Sequence, residues 1–170
     1  GEGSESLATD DSNLVVQAIY ALAQHAQIDP YVSIHVEKSI PLAGGMAGGS
    51  ADAAGTLVAC DALWGTGLSR EELADIGAHL GSDVPFALFG ANAIGRGRGE
   101  EIMPVLGQGQ FHWVFALADE GLSTPAVYQQ CDTLREGEQI RPPEVSDALM
   151  HALRQGDANA LAAALHNDLQ

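Results

Sequence analysis

The sequence predicts a mixed protein of alternating strands and helices with a helix-rich end. Three observations predict it. Val32, Ile34 and Val36 alternate with Ser33, His35 and Glu37, the period of a half-buried strand. A glycine-rich stretch follows at once and leads into the apolar run Ala53, Ala54, Leu57, Val58 and Leu63, which reads as a helix. From Thr124 onward, cap residues and leucine stripes recur at helical spacing.

In chain order, residues 1–11 are polar and read as coil. Asp11 or Ser12 caps a helix over about 12–28, whose stripe is Leu14, Ala18, Leu22 with Val15, Ile19, Ala23. Pro30 marks a turn, and the strand ends near Lys38. In the bend Pro41 to Ala51, four glycines fall within positions 44–49, which neither an ordinary helix nor a strand tolerates. The helix after it runs to about Trp64. The next, over about 69–80, opens on a Ser69/Glu72 capping box, and Gly81 ends it. Ser82 or Asp83 caps a short element. Residues 91–96 and 99–104 are strand segments around Gly95-Arg96-Gly97-Arg98-Gly99, and Phe111 to Ala118 is a buried strand. Thr124 with Pro125, Pro142-Pro143 and Asp157 then open three helices, with Val145, Leu149, Leu153 and Leu161, Leu165, Leu169 on their inner faces. The domain boundary falls between 1–106 and 107–170.

The 170 residues carry a net charge of −16, and Lys38 is the one lysine. Nucleic acids and anionic membranes need a positive face, so neither is an expected partner. No run of about 18 apolar residues is present, as a membrane span would need. Cys60 and Cys131 lie within apolar helical patterns without metal spacing and read as buried free thiols, in keeping with a cytoplasmic protein. The six histidines show no ligand spacing, so no protein-held metal is expected, and there is no GxSxG nucleophile elbow.

The bend carries the strongest chemical signal. Glycines let main-chain N–H groups approach a ligand, and a following helix adds the positive end of its dipole; together they hold an anion without a basic side chain. The pattern is neither a Walker loop nor GxGxxG. Close helix packing is the other use of such glycines. Ser50 sits at the expected helix start, as a cap or as a phosphate or Mg²⁺ contact. Asp52 reads as a dipole partner in the first turn. Asp83 is the candidate catalytic group: a carboxylate beside Val84-Pro85-Phe86 that either caps a helix or takes a proton from a substrate hydroxyl. Lys38 either ends a strand in solvent or faces a nucleotide. Arg96 and Arg98 read as hairpin residues or phosphate contacts.

Pro41-Leu42-Ala43-Gly44-Gly45-Met46-Ala47-Gly48-Gly49-Ser50-Ala51-Asp52-Ala53-Ala54 resembles the second motif of the GHMP kinases, their ATP-phosphate loop. Leu80-Gly81-Ser82-Asp83-Val84-Pro85-Phe86, Ser12-Asn13-Leu14-Val15, Lys38-Ser39-Ile40-Pro41, Leu63-Trp64 with Leu68-Ser69, Glu72-Leu73-Ala74 and Gly97-Arg98-Gly99-Glu100 extend the likeness in order along the chain. It implies an α+β two-domain fold: a ribosomal protein S5 domain 2-like N-terminal domain and a helix-rich C-terminal α/β domain, both incomplete. It implies an ATP-dependent kinase in which Asp83 acts on the substrate hydroxyl. Pro41, Leu42, Ala43, Gly44, Gly45, Met46, Ala47, Gly48, Gly49, Ser50 and Ala51 would surround the ATP phosphates, and Asn13, Leu14 and Lys38 would lie near the base. The nearest branch of the family transfers the γ-phosphoryl group of ATP, with Mg²⁺, to the 2-hydroxyl of a cytidine diphosphate-linked methylerythritol in isoprenoid synthesis. A homoserine or mevalonate type of kinase, or a non-catalytic ligand-binding relative, is the alternative. The family's N-terminal lysine-bearing strand and its C-terminal glycine-rich loop have no counterpart here, so the chain reads as an internal piece with little activity alone. Met46 and Ala47 stand where the family more often has Leu and Gly, changes expected to conserve shape.

Overall fold

The computed structural model describes residues 7–40, 45–116, 122–140 and 143–169. The chain divides into two compact units, Gly1–Val105 and Leu106–Gln170.

The first unit contains α1 (Leu14–Ala26), α2 (Gly48–Trp64), α3 (Arg70–Leu80), α4 (Val84–Phe89), β1 (Ala93–Arg96) and β2 (Glu101–Pro104). α1 is capped by Asn13, not by Asp11 or Ser12. Asn13 accepts the Val15 N–H at 2.9 Å, whereas Ser12 is bound back to the Asp10 carboxylate and cannot cap. The stripe is as read: Val15, Ala18, Ile19, Leu22 and Ala23 are buried. The first four meet Ala53, Ala54, Leu57 and Cys60 of α2, Leu73 and Ile76 of α3, and Val84 and Leu88 of α4 in one apolar cluster. Burying such side chains supplies the largest favourable term in folding.

The Ser69/Glu72 capping box forms in full, with Ser69 accepting from the Glu72 N–H and Glu72 from the Ser69 N–H. Gly81 closes α3. The turn to α4 depends on Gly77. A Cβ there would lie 2.7 Å from Val84 Cγ1, so only a bare α-carbon lets α4 pack this closely on α3. The hairpin pairs Ala93 with Pro104 and Arg96 with Glu101, antiparallel, around Gly97-Arg98-Gly99-Glu100.

Two expected strands do not form. Residues 32–38 are outside any ladder; Val32 and Val36 pack on the core while Ile34 is exposed. The alternation is there, but no described strand pairs with it, and pairing is what makes a strand. Residues 111–116 are likewise not a strand and are not buried: Val114 is 97% exposed. Leu117 and Ala118 lie outside the described residues.

The second unit contains α5 (Thr124–Leu134), α6 (Asp147–Gln155) and α7 (Ala158–Ala164). Ser123, not Thr124, stands at the N-cap of α5, and α5 buries no residue, so Cys131 is only half-buried. α6 begins beyond the prolines because Ser146 supplies the cap, leaving Val145 outside it. Pro142 lies outside the described residues. Asp157 caps α7 as expected, accepting from the Asn159 and Ala160 N–H groups, and Leu161 is buried beneath it. Leu165 and Leu169 fall beyond the helix and are exposed. No helix among the described residues is long and apolar enough to cross a membrane.

Candidate active site

The first turn of α2 is the centre of the candidate site. α2 begins at Gly48, so Ser50 is its third residue, not its cap, and Asp52 lies in its second turn, not its first. The residue at the N-cap is Ala47, which makes no side-chain cap bond. The first helical bond runs from the Ala51 N–H to the Ala47 carbonyl. Among the described residues the N–H groups of Gly49 and Ser50 have no main-chain partner, as the first turn of a helix leaves its donors pointing out of the helix start. With the helix dipole they form a positive end that needs no basic side chain.

Ala47 has φ 49° and ψ 31°, in the left-handed region. Its substitution for glycine is therefore not neutral in shape: the methyl group sits where the backbone favours a residue without Cβ. Gly45 is also left-handed, with φ 65°. Pro41, Leu42, Ala43 and Gly44 lie outside the described residues.

Several of the expected residues converge on this turn. A Cβ on Gly48 would meet Ile40 Cγ2 at 2.8 Å and Lys38 Nζ at 3.0 Å, so the chain before the bend touches the helix after it. Leu14 of α1 reaches the same turn: its Cδ1 is 3.5 Å from the Cβ position of Gly49. Asn13 spends its side chain on α1, accepting from Val15 and donating to the Ala8 carbonyl at 2.6 Å. Lys38 does not end in solvent. It is 8% exposed, and its ammonium donates to the Asp52 carboxylate. That partnership is the feature of the candidate site that sequence reading missed, and a lone lysine ahead of the bend with an acid just after it was the available signal.

α2 also packs against α3 and α4, which brings the Gly81–Asp83 turn close. Ser50 Oγ is 3.9 Å from the Cβ position of Gly81. Asp83 occupies the N-cap position of α4 yet makes no cap bond there, because its φ −88° and ψ −10° are helical. Its carboxylate is exposed and, among the described residues, accepts no hydrogen bond. The helix-cap role is thus not taken up by the side chain. Beside this turn is an open cleft of about 430 Å³ lined by Ala78, His79, Gly81, Ser82, Arg98 and Glu100. The Arg98 N–H donates to Glu100 at 2.7 Å; the main-chain N–H of Glu100 itself, and after it that of Arg98, hold the Glu100 carboxyl below its ordinary range. Arg96, one turn back on β1, is exposed and does not line the cleft. Among the described residues no cluster of three or more His, Cys, Asp or Glu side chains is placed to hold a metal.

Residues 13–91 match the model of the GHMP kinases N-terminal domain. Through them the chain belongs to the GHMP kinases. Of the curated GHMP relatives, the 4-diphosphocytidyl-2-C-methyl-D-erythritol kinase of Salinispora arenicola is 60% identical over 172 residues, covering 100% of this chain and 55% of the relative. The enzyme of the same name from Streptomyces coelicolor is 55% identical over 170 residues, covering 100% of this chain and 57% of the relative. Among solved structures, a crystal structure of 4-(cytidine 5'-diphospho)-2C-methyl-D-erythritol kinase superposes with a TM-score of 0.64 at 29% identity, covering 92% of this chain and 53% of the other. The GHMP chain described here thus spans about 55% of the length of its curated relatives.

Proposed function

We propose that this chain is part of an ATP-dependent kinase that phosphorylates the 2-hydroxyl of 4-diphosphocytidyl-2-C-methyl-D-erythritol in the non-mevalonate route to isoprenoid precursors. The observation that carries the reading is the juxtaposition of two unspent groups. The N–H donors of the first α2 turn and the Asp83 carboxylate lie on neighbouring turns, and among the described residues neither has a partner. The names of the relatives, over the whole of this chain, supply the substrate class.

In the proposed reaction the bend 41–51 and the start of α2 hold the ATP phosphates. Phosphoryl transfer asks for positioning and charge stabilisation more than for covalent help, and fixed N–H dipoles supply both. Asp83 orients the acceptor hydroxyl and takes its proton as the oxygen–phosphorus bond forms and the bond to the ADP oxygen breaks. Ser50 Oγ, a hard oxygen donor, fits the Mg²⁺ that accompanies ATP, which would neutralise phosphate charge. Leu14, whose Cδ1 is 3.5 Å from the Cβ position of Gly49, would pack on the nucleotide. Arg98 lines the cleft beside Asp83 and offers a positive charge to the anionic part of the acceptor. The proposal includes a cytoplasmic setting, where ATP is the phosphoryl donor. The two units are proposed as parts of the N-terminal and C-terminal GHMP domains.

The test is Asp83→Asn in the whole protein. Transfer from MgATP to the methylerythritol acceptor is expected to fall by at least about a hundredfold, the usual scale for a lost general base. ATP affinity is expected to stay within about twofold, since the group acts on the other substrate. Equal loss of ATP affinity and turnover would assign Asp83 to the turn rather than to the chemistry.

A further inference from the structure

Lys38 and Asp52 lie on opposite sides of the glycine-rich bend. Their side chains are 6% and 22% exposed, and they are joined by an ion pair. The whole of residues 39–51 lies between them in sequence. We propose that this pair is a latch: it ties the chain before the bend to α2 after it and holds the start of α2 ready to receive phosphate, so Lys38 is a positioning residue and not a phosphate contact.

The argument begins with cost. Glycine-rich chain loses more conformational freedom on ordering than any other. A ligand that must order such a bend spends its binding free energy on that step, and a bend already closed at its base avoids part of it. The closure here has two points. Ile40 sits against the bare α-carbon of Gly48, and the Lys38 ammonium passes over the same residue to reach Asp52 on the next turn. A nearly buried ammonium cannot be left without a partner, so the pair admits few alternative geometries. Asp52 is itself fixed, because it sits mid-helix and its carbonyl accepts the Thr56 hydroxyl at 2.8 Å.

Charge leads to the same conclusion. Lys38 is the one lysine in a chain of net charge −16. A carboxylate in contact cancels its charge at short range, which leaves the N–H donors of Gly49 and Ser50 as the anion-holding groups at this turn. A direct phosphate contact would be better served by a lysine with no acid against it.

The inference rests on the reading of this bend as the nucleotide site, and the experiment separates the two. Lys38→Met, Asp52→Asn and the double variant are compared with the parent chain. Without nucleotide, hydrogen exchange of the amides in residues 45–51 is expected to rise about tenfold in each single variant and no further in the double, while α3 amides stay unchanged. Should a single variant fail to fold because it strands a charge, the double, which strands none, carries the same expectation. With MgATP, the dissociation constant is expected to rise about tenfold in all three, since each removes the same latch. Unchanged exchange in the bend overturns the latch. Loss of ATP binding in Lys38→Met with normal or tighter binding in Asp52→Asn also overturns it, because that pattern belongs to a direct contact. A parent chain that binds no ATP would refute the nucleotide reading alone, and the exchange result would still decide the latch.

Discussion

Replacing Ala47 with glycine is expected to make the protein more stable, although glycine in a helix interior is destabilising. Ala47 holds φ 49° and ψ 31° at the N-cap of α2, is exposed, and makes no cap bond. Its Cβ therefore costs about 1–2 kcal/mol in steric conflict with the backbone. Removing it forfeits little buried surface. The unfolded chain gains freedom from the glycine, which takes back about 0.4–1 kcal/mol. The difference leaves a net gain of about 0.5–1 kcal/mol, or roughly 2 °C in melting temperature for a chain of this size. Urea titration followed by far-ultraviolet circular dichroism reads the change directly, and Ala47→Val provides the opposite sign, since a β-branched residue is worse still in this region. A lower midpoint for the glycine variant, or no fall for valine, would refute the assignment of strain to this residue.

Gly77→Ala is expected to destabilise the first unit by about 1–3 kcal/mol, because the new methyl would lie 2.7 Å from the fully buried Val84; thermal unfolding measures it, and a second change, Val84→Ala, should recover part of the melting temperature without restoring full stability. Asp61, at the end of α2, accepts from the Thr66 hydroxyl and from the Leu68 N–H at 3.0 Å, which holds its carboxyl below the ordinary value of 3.8. A depressed folded-state value means that its contribution is present above pH 3.8 and lost as pH falls through the lower folded value. Asp61→Asn should accordingly flatten the acid limb of the stability–pH curve below that point, and an unchanged limb would contradict it. Burial pushes the Cys60 thiol up, whereas Cys131 is half-buried, so a thiol reagent at neutral pH should show one fast and one slow phase, with Cys131→Ser removing the fast one.

Local chemistry was legible in the sequence and distant pairing was not. The Ser69/Glu72 box, the Asp157 cap and the stripe on α1 involve residues within a turn or two of each other, and each forms as read. The cap of α1 shifted by one residue because Asp10 captured Ser12, a competition between side chains that a propensity ranking does not weigh. Val32, Ile34 and Val36 have the rhythm of a strand, but a ladder needs a partner from elsewhere in the chain. The run 111–116 looked buried because it is apolar, and composition alone does not say what covers it. At the candidate site the bend and Asp83 stood out from their residue types. What the glycine at 48 accommodates, the strained Ala47 and the destination of the Lys38 ammonium depend on how two segments meet, and only coordinates show that.

The burial of Lys38 has a practical corollary. Every other cationic side chain in the chain is a guanidinium or an imidazole, so acylating reagents that seek primary amines have no accessible lysine side chain to modify. Any acyl group found on that side chain would mark molecules in which the segment around it had come apart, and the protein thus carries a built-in chemical record of its own opening.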